Sequence, residues 1–210
     1  MTNIAVFIYS VYLLDPAAQE EFILKYGLVP QSVSLNDISN LHGLSVSVIM
    51  PFFSNIFLHG GWGHIISNMW FLYIFGDNVE DRMGKLKYFF FYILCGFAAS
   101  LTHFILFRHS TVPAMGASGA ISGVMAAYML MFPRSTIISL VPIIIIPLFI
   151  PIPAIIYIGL WFVVQLLSGT TSLMSGTATG IAFWAHIGGF ISGLLLCRLM
   201  VTRVHRTGYS

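Results

Sequence analysis

Side chains capable of nucleophilic and acid–base chemistry recur at the starts of three apolar segments of this 210-residue chain. These side chains belong to His64, Asn68, Ser118 and His186. A serine hydroxyl becomes an effective nucleophile when a base takes its proton, and an imidazole is the commonest base. His64 and Asn68 lie four residues apart on one helix face, where both could donate hydrogen bonds to an oxyanion. The residue types therefore predict acyl transfer.

Each of these residues also has a purely structural interpretation. Ser118 lies in the stretch "AMGASGAISG" (114–123), whose small residues form a helix-packing surface. A lone His186 is more often a hydrogen-bonded interior histidine than a base. The packing interpretation and the catalytic interpretation support each other if the segments that contain Ser118 and His186 cross at their glycines. Such a crossing would bring the serine and the histidine together. Two glycine pairs of equal spacing predict this crossing: Gly119 with Gly123, and Gly189 with Gly193.

A metal centre and an aspartyl site are the alternatives for hydrolysis inside a membrane. The chain has 7 Asp and Glu residues, and Asp81 is the last of them, so the second half has no carboxylate. The motif His-Glu-x-x-His is absent, and no predicted span carries an Asp residue, whereas an aspartyl site needs two. Cys95 and Cys197 lie in apolar runs without metal-ligand spacing. We expect no metal and no cofactor.

The composition predicts a membrane protein. Hydrophobic residues make up 58% of the chain and charged residues 8%, whereas a soluble domain carries about 25% charged residues. Apolar segments of a bilayer protein must satisfy their own backbone hydrogen bonds, so we expect helices. A net charge of +2 gives no basis for binding nucleic acid. The expected fold is an all-α, polytopic bundle of six transmembrane helices with a long first loop, and its expected partner is the lipid bilayer.

The six expected spans come from the distribution of apolar runs: 3–14, 63–75, 88–107, 118–132, 153–167 and 181–201. The first would be roughly 18 Å long as a helix, against a hydrocarbon core of about 30 Å. It either continues past Pro16 or lacks its start. Four prolines make a straight helix implausible before the fifth span, so residues 136–152 are expected to form an apolar loop that dips into the interface. The segment 168–180 is interpreted as a mobile cap or as an ordinary connection.

Basic residues give the orientation, because cytoplasmic loops are enriched in Lys and Arg. Both termini are expected in the cytoplasm, together with these basic residues: Arg82, Lys85, Lys87, Arg134, Arg198, Arg203 and Arg206. The outer segments then hold only Lys25 and Arg108. The even-numbered spans enter from the outer face in this arrangement. The four candidate site residues therefore share one depth just below that face.

Three stretches resemble the rhomboid intramembrane serine proteases: "HGGWGHIISNMWFLYIFGDNVEDRMG" (59–84), "GASG" (116–119) and "AHIGGFISG" (185–193). The resemblance implies a six-helix bundle with a serine–histidine dyad in a water-filled cavity that opens outward. It implies that Ser118 is the nucleophile and His186 the base. It further implies that the oxyanion is bound by His64, Asn68 and the backbone N–H of Ser118.

The resemblance extends to function and leaves one structural question open. It implies one transmembrane domain over 1–210 in a prokaryotic plasma membrane. It also implies cleavage of single-span membrane proteins near the outer end of their transmembrane segment, with entry between spans two and five.

Some relatives place an aromatic residue one turn after the serine, where this chain has Ser122, so what steadies the His186 ring stays open. The alternatives are a non-cleaving rhomboid-like factor that binds and extracts membrane proteins and a small transporter.

Overall fold

The computed structural model describes residues 1–33, 45–143, 146–175 and 182–201. It is mostly helical. The α-helices are α1 (Thr2–Tyr12), α2 (Pro16–Tyr26), α3 (Val46–Ile49), α4 (Pro51–Ser54), α5 (Trp62–Met83), α6 (Lys85–Leu106), α7 (Ser118–Met131), α8 (Ala154–Ser175) and α9 (Phe183–Met200). The strands are β1 (Thr136–Ile143) and β2 (Ile146–Pro153).

The membrane character expected from composition is supported by three long apolar helices. Within the described ranges, Lys85–Leu106, Ala154–Met174 and Phe183–Met200 have the length and hydropathy of membrane spans. Helix α5 has 22 residues, but its final turns carry several charged side chains, and α7 has only 14 residues. The predicted count of six spans is therefore not confirmed, whereas a bundle of membrane helices is.

The first predicted span, 3–14, corresponds to the single helix α1, and a separate helix, α2, follows it. Helix α1 ends at Tyr12, and Asp15 caps α2 by accepting a hydrogen bond of 2.8 Å from the Ala18 N–H. Pro16 occupies the first turn of α2, where its missing N–H has no partner to lose. One expected alternative was that the first span continues past Pro16 as a single helix. This alternative is wrong, because Asp15 caps the start of a new helix.

The predicted apolar loop over 136–152 is an antiparallel β-hairpin. Thr136 stands opposite Pro153, and Ile143 stands opposite Ile146. The prolines that exclude a helix are tolerated on the edges of strands, where no ladder hydrogen bond is required of them. The prediction of a loop was wrong because proline, although it excludes a helix, is compatible with the outward-facing positions of a two-stranded ladder.

Helix α8 is longer than the predicted fifth span. It continues to Ser175, so residues 168–175 are helical and are not part of a loop. Within this helix the hydroxyls of Thr170 and Thr171 are satisfied, since each donates to the carbonyl four residues earlier, at 2.5 and 2.9 Å. What is left of the predicted cap, residues 176–180, lies outside the described residues.

The centre of the bundle is α7, which is buried continuously from Gly119 to Tyr128. The crossing of α7 and α9 predicted from the glycine spacing is present. A side chain at Gly189 would collide with the carbonyl oxygen of Gly119, and one at Gly193 would collide with that of Gly123. Backbone therefore meets backbone along this crossing, as small residues permit in membrane helices.

Candidate active site

Ser118 and His186 meet where α7 and α9 begin. Oγ of Ser118 lies 2.8 Å from Nε2 of His186, within the reach of a hydrogen bond. Ser118 is the first residue of α7, and His186 lies about one turn before Gly189 on the crossing face of α9. The glycine crossing thus holds the hydroxyl and the imidazole in contact.

The turn before Ser118 depends on Gly116. Its φ of +127° lies in the region that favours glycine. A Cβ at Gly116 would lie 2.6 Å from Nε2 of His64 and 3.7 Å from Oγ of Ser118. Both functional groups therefore face the small space that glycine leaves open. The N–H of Gly116 donates to the carbonyl of Asn55 at 2.9 Å, which fixes the turn to the first loop.

Gln165 of α8 contacts the other side of the imidazole. Its Oε1 lies 2.8 Å from Nδ1 of His186, and the residue is only 8% exposed. An amide oxygen only accepts, so this contact requires the proton on Nδ1 and leaves the lone pair of Nε2 facing Ser118. The Trp161 ring, one turn earlier in α8, packs on the imidazole with ring centroids 5.9 Å apart and planes 34° apart.

His64 and Asn68 lie on one face of α5 and line the same cavity as Ser118 and His186. This cavity has a volume of ≈ 510 Å³. The amide nitrogen of Asn68 donates to the carbonyl oxygen of His64 at 2.9 Å, which uses one of its two N–H groups. The structure therefore brings all four predicted site residues to one space between α5, α7, α8 and α9.

A second histidine, His59, supports the His64 ring. His59 lies in the loop before α5 and is 6% exposed. Its ring meets the His64 ring edge to face, with centroids 5.1 Å apart. Burial lowers the pKa of His59 from 6.5 to about 4, and the His64 ring adds to the shift. His59 is therefore uncharged at neutral pH and packs as a neutral ring.

Sequence reasoning missed Gln165 and Trp161. Gln165 is the only Asn or Gln within α8, and a polar residue in an apolar span usually faces the bundle interior. That signal was available, but nothing in the sequence showed which span would turn a side chain toward His186. The open question of what steadies the imidazole is answered by these two residues of α8, since Ser122 instead donates to the carbonyl oxygen of Ser118 at 2.6 Å.

Within the described residues, no group of three or more His, Cys, Asp or Glu side chains is arranged to hold a metal ion. The two cysteines, Cys95 and Cys197, are both buried and free.

The fold and site define a helical membrane protein with a serine–histidine pair held in an internal cavity. A family model described as "Rhomboid domain" matches residues 46–203, which is most of the chain. The chain therefore belongs to the rhomboid family.

Curated relatives have the same family name. RHOMBOID-like protein 4 of Arabidopsis thaliana is 26% identical over 98% of this chain and 52% of its own length. Rhomboid protein 1, mitochondrial, of Saccharomyces cerevisiae is 30% identical over 66% of this chain and 38% of its own. Rhomboid-like protein 11, chloroplastic, of Arabidopsis thaliana is 37% identical over 36% of this chain and 26% of its own. The chain spans about half or less of the length of these relatives.

Proposed function

We propose that the chain is an intramembrane serine endopeptidase that uses Ser118 as nucleophile and His186 as base. The single observation that carries the proposal is the contact of 2.8 Å between Oγ and Nε2 inside a cavity within a membrane bundle. Family membership supports the same class of reaction.

The first chemical step is acylation of Ser118. Nε2 of His186 takes the hydroxyl proton while Oγ attacks the carbonyl carbon of the scissile peptide bond, which forms a tetrahedral oxyanion. The imidazolium then donates its proton to the leaving amine, and the C–N bond breaks. A water deprotonated by Nε2 attacks the resulting ester, releases the new carboxyl group and restores the serine. Gln165 keeps Nδ1 protonated throughout by accepting its hydrogen bond.

The oxyanion site that we propose has three donors. The N–H of Ser118 is in the first turn of α7, where a helix does not use its own N–H groups. Asn68 has a second amide N–H, and the His64 ring faces the space beside Ser118. Donors fixed in a site of low polarity stabilise the developing charge without having to reorganise.

The proposed substrates are single-span membrane proteins. A transmembrane helix hides its carbonyl groups in its own hydrogen bonds, so the substrate must unwind locally before attack. The cavity wall between α5 and α8 includes Phe71 and Trp161, and we place substrate entry there. With both termini in the cytoplasm, cleavage falls near the outer end of the substrate segment. The prokaryotic plasma membrane stays a prediction that the relatives from a plant and a yeast do not support.

The decisive experiment incubates purified protein in detergent with a model single-span substrate and reads the cut site by mass spectrometry. Ser118→Ala and His186→Ala should each lower turnover by roughly 10⁴-fold, because a serine–base unit fails when either member is lost. Ser67→Ala is the matched control, since Ser67 lines the same cavity but its hydroxyl donates to its own helix at the carbonyl of His64. Its turnover should stay within about threefold, as expected for a site outside the reacting unit.

The same assay separates the alternatives. A chain that binds single-span substrate equally well with and without Ser118→Ala, and cleaves it in neither form, is the non-cleaving binding factor. Cleavage that persists in both dyad variants would contradict the assignment of nucleophile and base.

The oxyanion site has its own test in the same assay. Asn68→Ala should lower turnover by about 10²- to 10³-fold, the usual effect of losing one oxyanion donor. The loss should appear in kcat rather than in KM, because the donor acts on a charge that exists only during the reaction. An unchanged kcat would exclude Asn68 from the oxyanion site.

A further inference from the structure

We propose that the β1–β2 hairpin is a membrane anchor that lies in the lipid leaflet on the side of the bundle opposite Ser118. Helix α7 starts at Ser118 and ends at Met131, and the hairpin begins five residues later, at Thr136. It leads without a break into α8, which begins at Ala154.

The positions of the prolines provide the first argument. The N–H of Ala154 donates to the carbonyl of Ser135 at 2.7 Å, which fixes the phase of the antiparallel ladder. Counting along the ladder from the Ser135–Ala154 pair, every second residue pair exchanges hydrogen bonds. The residue pairs in between point their N–H and C=O groups away from the partner strand. The outward-pointing positions are 136, 138, 140, 142, 147, 149, 151 and 153.

All four prolines of the hairpin fall on these outward-pointing positions, at 142, 147, 151 and 153. Proline has no N–H, so half of the donors that the two edges would expose are absent. In water an exposed N–H has no cost, because solvent satisfies it. The absence of backbone N–H donors from a strand edge is favourable beside lipid, because no solvent is present there to accept their hydrogen bonds.

The exposed side chains provide the second argument. One face of the hairpin presents Ile138, Leu140 and Phe149, which are 72%, 58% and 69% exposed. No Asp, Glu, Lys or Arg occurs between Arg134 and Arg198. A contiguous apolar surface of this kind is unfavourable in water and favourable against acyl chains.

Basic side chains lie at the base of the same surface. Arg134 is exposed just before β1. The Arg82 guanidinium lies over the Phe132 ring, 5.3 Å from its centroid, so the end of α5 is on this side as well. Positive groups beside an apolar surface match lipid phosphates above acyl chains. The occupant that fits both features is a lipid leaflet.

The remaining carbonyl groups set the depth. Prolines keep their carbonyl oxygens, so both edges still carry outward acceptors. These acceptors need donors from interfacial water, because an open sheet edge is not stable in the hydrocarbon centre. The hairpin therefore lies shallowly, with its apolar face about 5–10 Å into the headgroup–acyl boundary, like an interfacial segment. The same prolines block pairing with the strand edge of a second copy, which makes lipid the better occupant.

Spin labels test this location in vesicles of neutral and anionic phospholipid. Phe149→Cys and Leu140→Cys each place a label on the exposed face, and Val112→Cys places one in the loop before Ser118, where Val112 is 48% exposed. The unsubstituted chain treated with the same label is the background control, since Cys95 and Cys197 are buried. Collision rates with oxygen and with a water-soluble nickel chelate are measured at each site.

The expected result is high oxygen and low nickel accessibility at 140 and 149, with the reverse at 112. Equal nickel accessibility at 149 and 112 would overturn the proposal, since the hairpin would then lie in water. Exclusion of both oxygen and the nickel chelate from positions 140 and 149 would also overturn the proposal, because protein would then cover the face. This holds with or without dipolar coupling between labels on different molecules. This result is independent of whether the chain cleaves a substrate.

Discussion

The site is assembled from two regions that are held in place differently. Helices α7 and α9 meet backbone to backbone at their glycines and fix Ser118 against His186. Helix α8, which supplies Gln165, is less enclosed: 22% of its span is buried, against 39% for α6 and 33% for α9. The proposed nucleophile and base therefore lie on a rigid crossing, while Gln165, which contacts the imidazole, is supplied by a less enclosed helix.

The comparison explains why glycine has different roles in the two regions. Added side chains at Gly189 and Gly193 would meet carbonyl oxygens of α7, whereas one at Gly159 of α8 would meet nothing within 4 Å. Glycine is required for approach at Gly189 and Gly193 and is only tolerated at Gly159. Close-packed interiors do not absorb an added methyl group, so the cost of the same substitution should differ sharply.

Among the variants that change helix packing, Gly189→Ala should have a much larger effect than Gly159→Ala. Gly189→Ala must push α9 away from α7, and a shift of about 1 Å at a reacting pair costs roughly 10²-fold in rate. It should also lower stability by about 1–3 kcal/mol, the usual cost of overpacking. Gly159→Ala should leave activity unchanged and stability equal or slightly higher, since alanine favours helix. Turnover and thermal unfolding in detergent measure both.

Equal losses in the two variants would show that α8 is packed as tightly around Gly159 as α7 and α9 are at their crossing. Equal tolerance would show that α7 and α9 do not touch at their glycines.

A moderate effect is expected from Gln165. Gln165→Leu removes the acceptor for Nδ1 and allows the unproductive tautomer, so kcat should fall by about tenfold, the equivalent of one hydrogen bond of roughly 1.4 kcal/mol. KM should stay constant, because the side chain acts through His186 and not on the substrate. Val164→Leu is the matched control, since Val164 is 54% exposed on the same helix.

A second variant separates orientation of the ring from packing. Gln165→Glu retains an oxygen acceptor for Nδ1 and should recover most of the rate of Ser118 acylation by a mechanism-based serine reagent. If the leucine and glutamate variants acylate equally slowly, Gln165 fills space and does not orient the imidazole.

The smallest expected effect is that of metal chelators. The proposed steps use only the hydroxyl, the imidazole and hydrogen-bond donors, so EDTA or phenanthroline should leave turnover within experimental error. Activity that is lost on chelation and restored by zinc would replace the dyad by a metal site that includes His64 and His186, and the rigid crossing would then serve to hold ligands.

The membrane class, the family and the shared depth of Ser118, His186, His64 and Asn68 could be predicted from the amino-acid sequence. The depth of a residue in a span follows from its position in the sequence, because a helix rises 1.5 Å per residue. Glycine pairs mark where two helices can touch. Tertiary structure alone decided that Gln165 turns toward His186, because α8 is apolar around most of its surface and its rotation is set by packing. It likewise decided the hairpin: the prolines excluded a helix over 136–152, but only the pairing of β1 with β2 gave each of them an edge position.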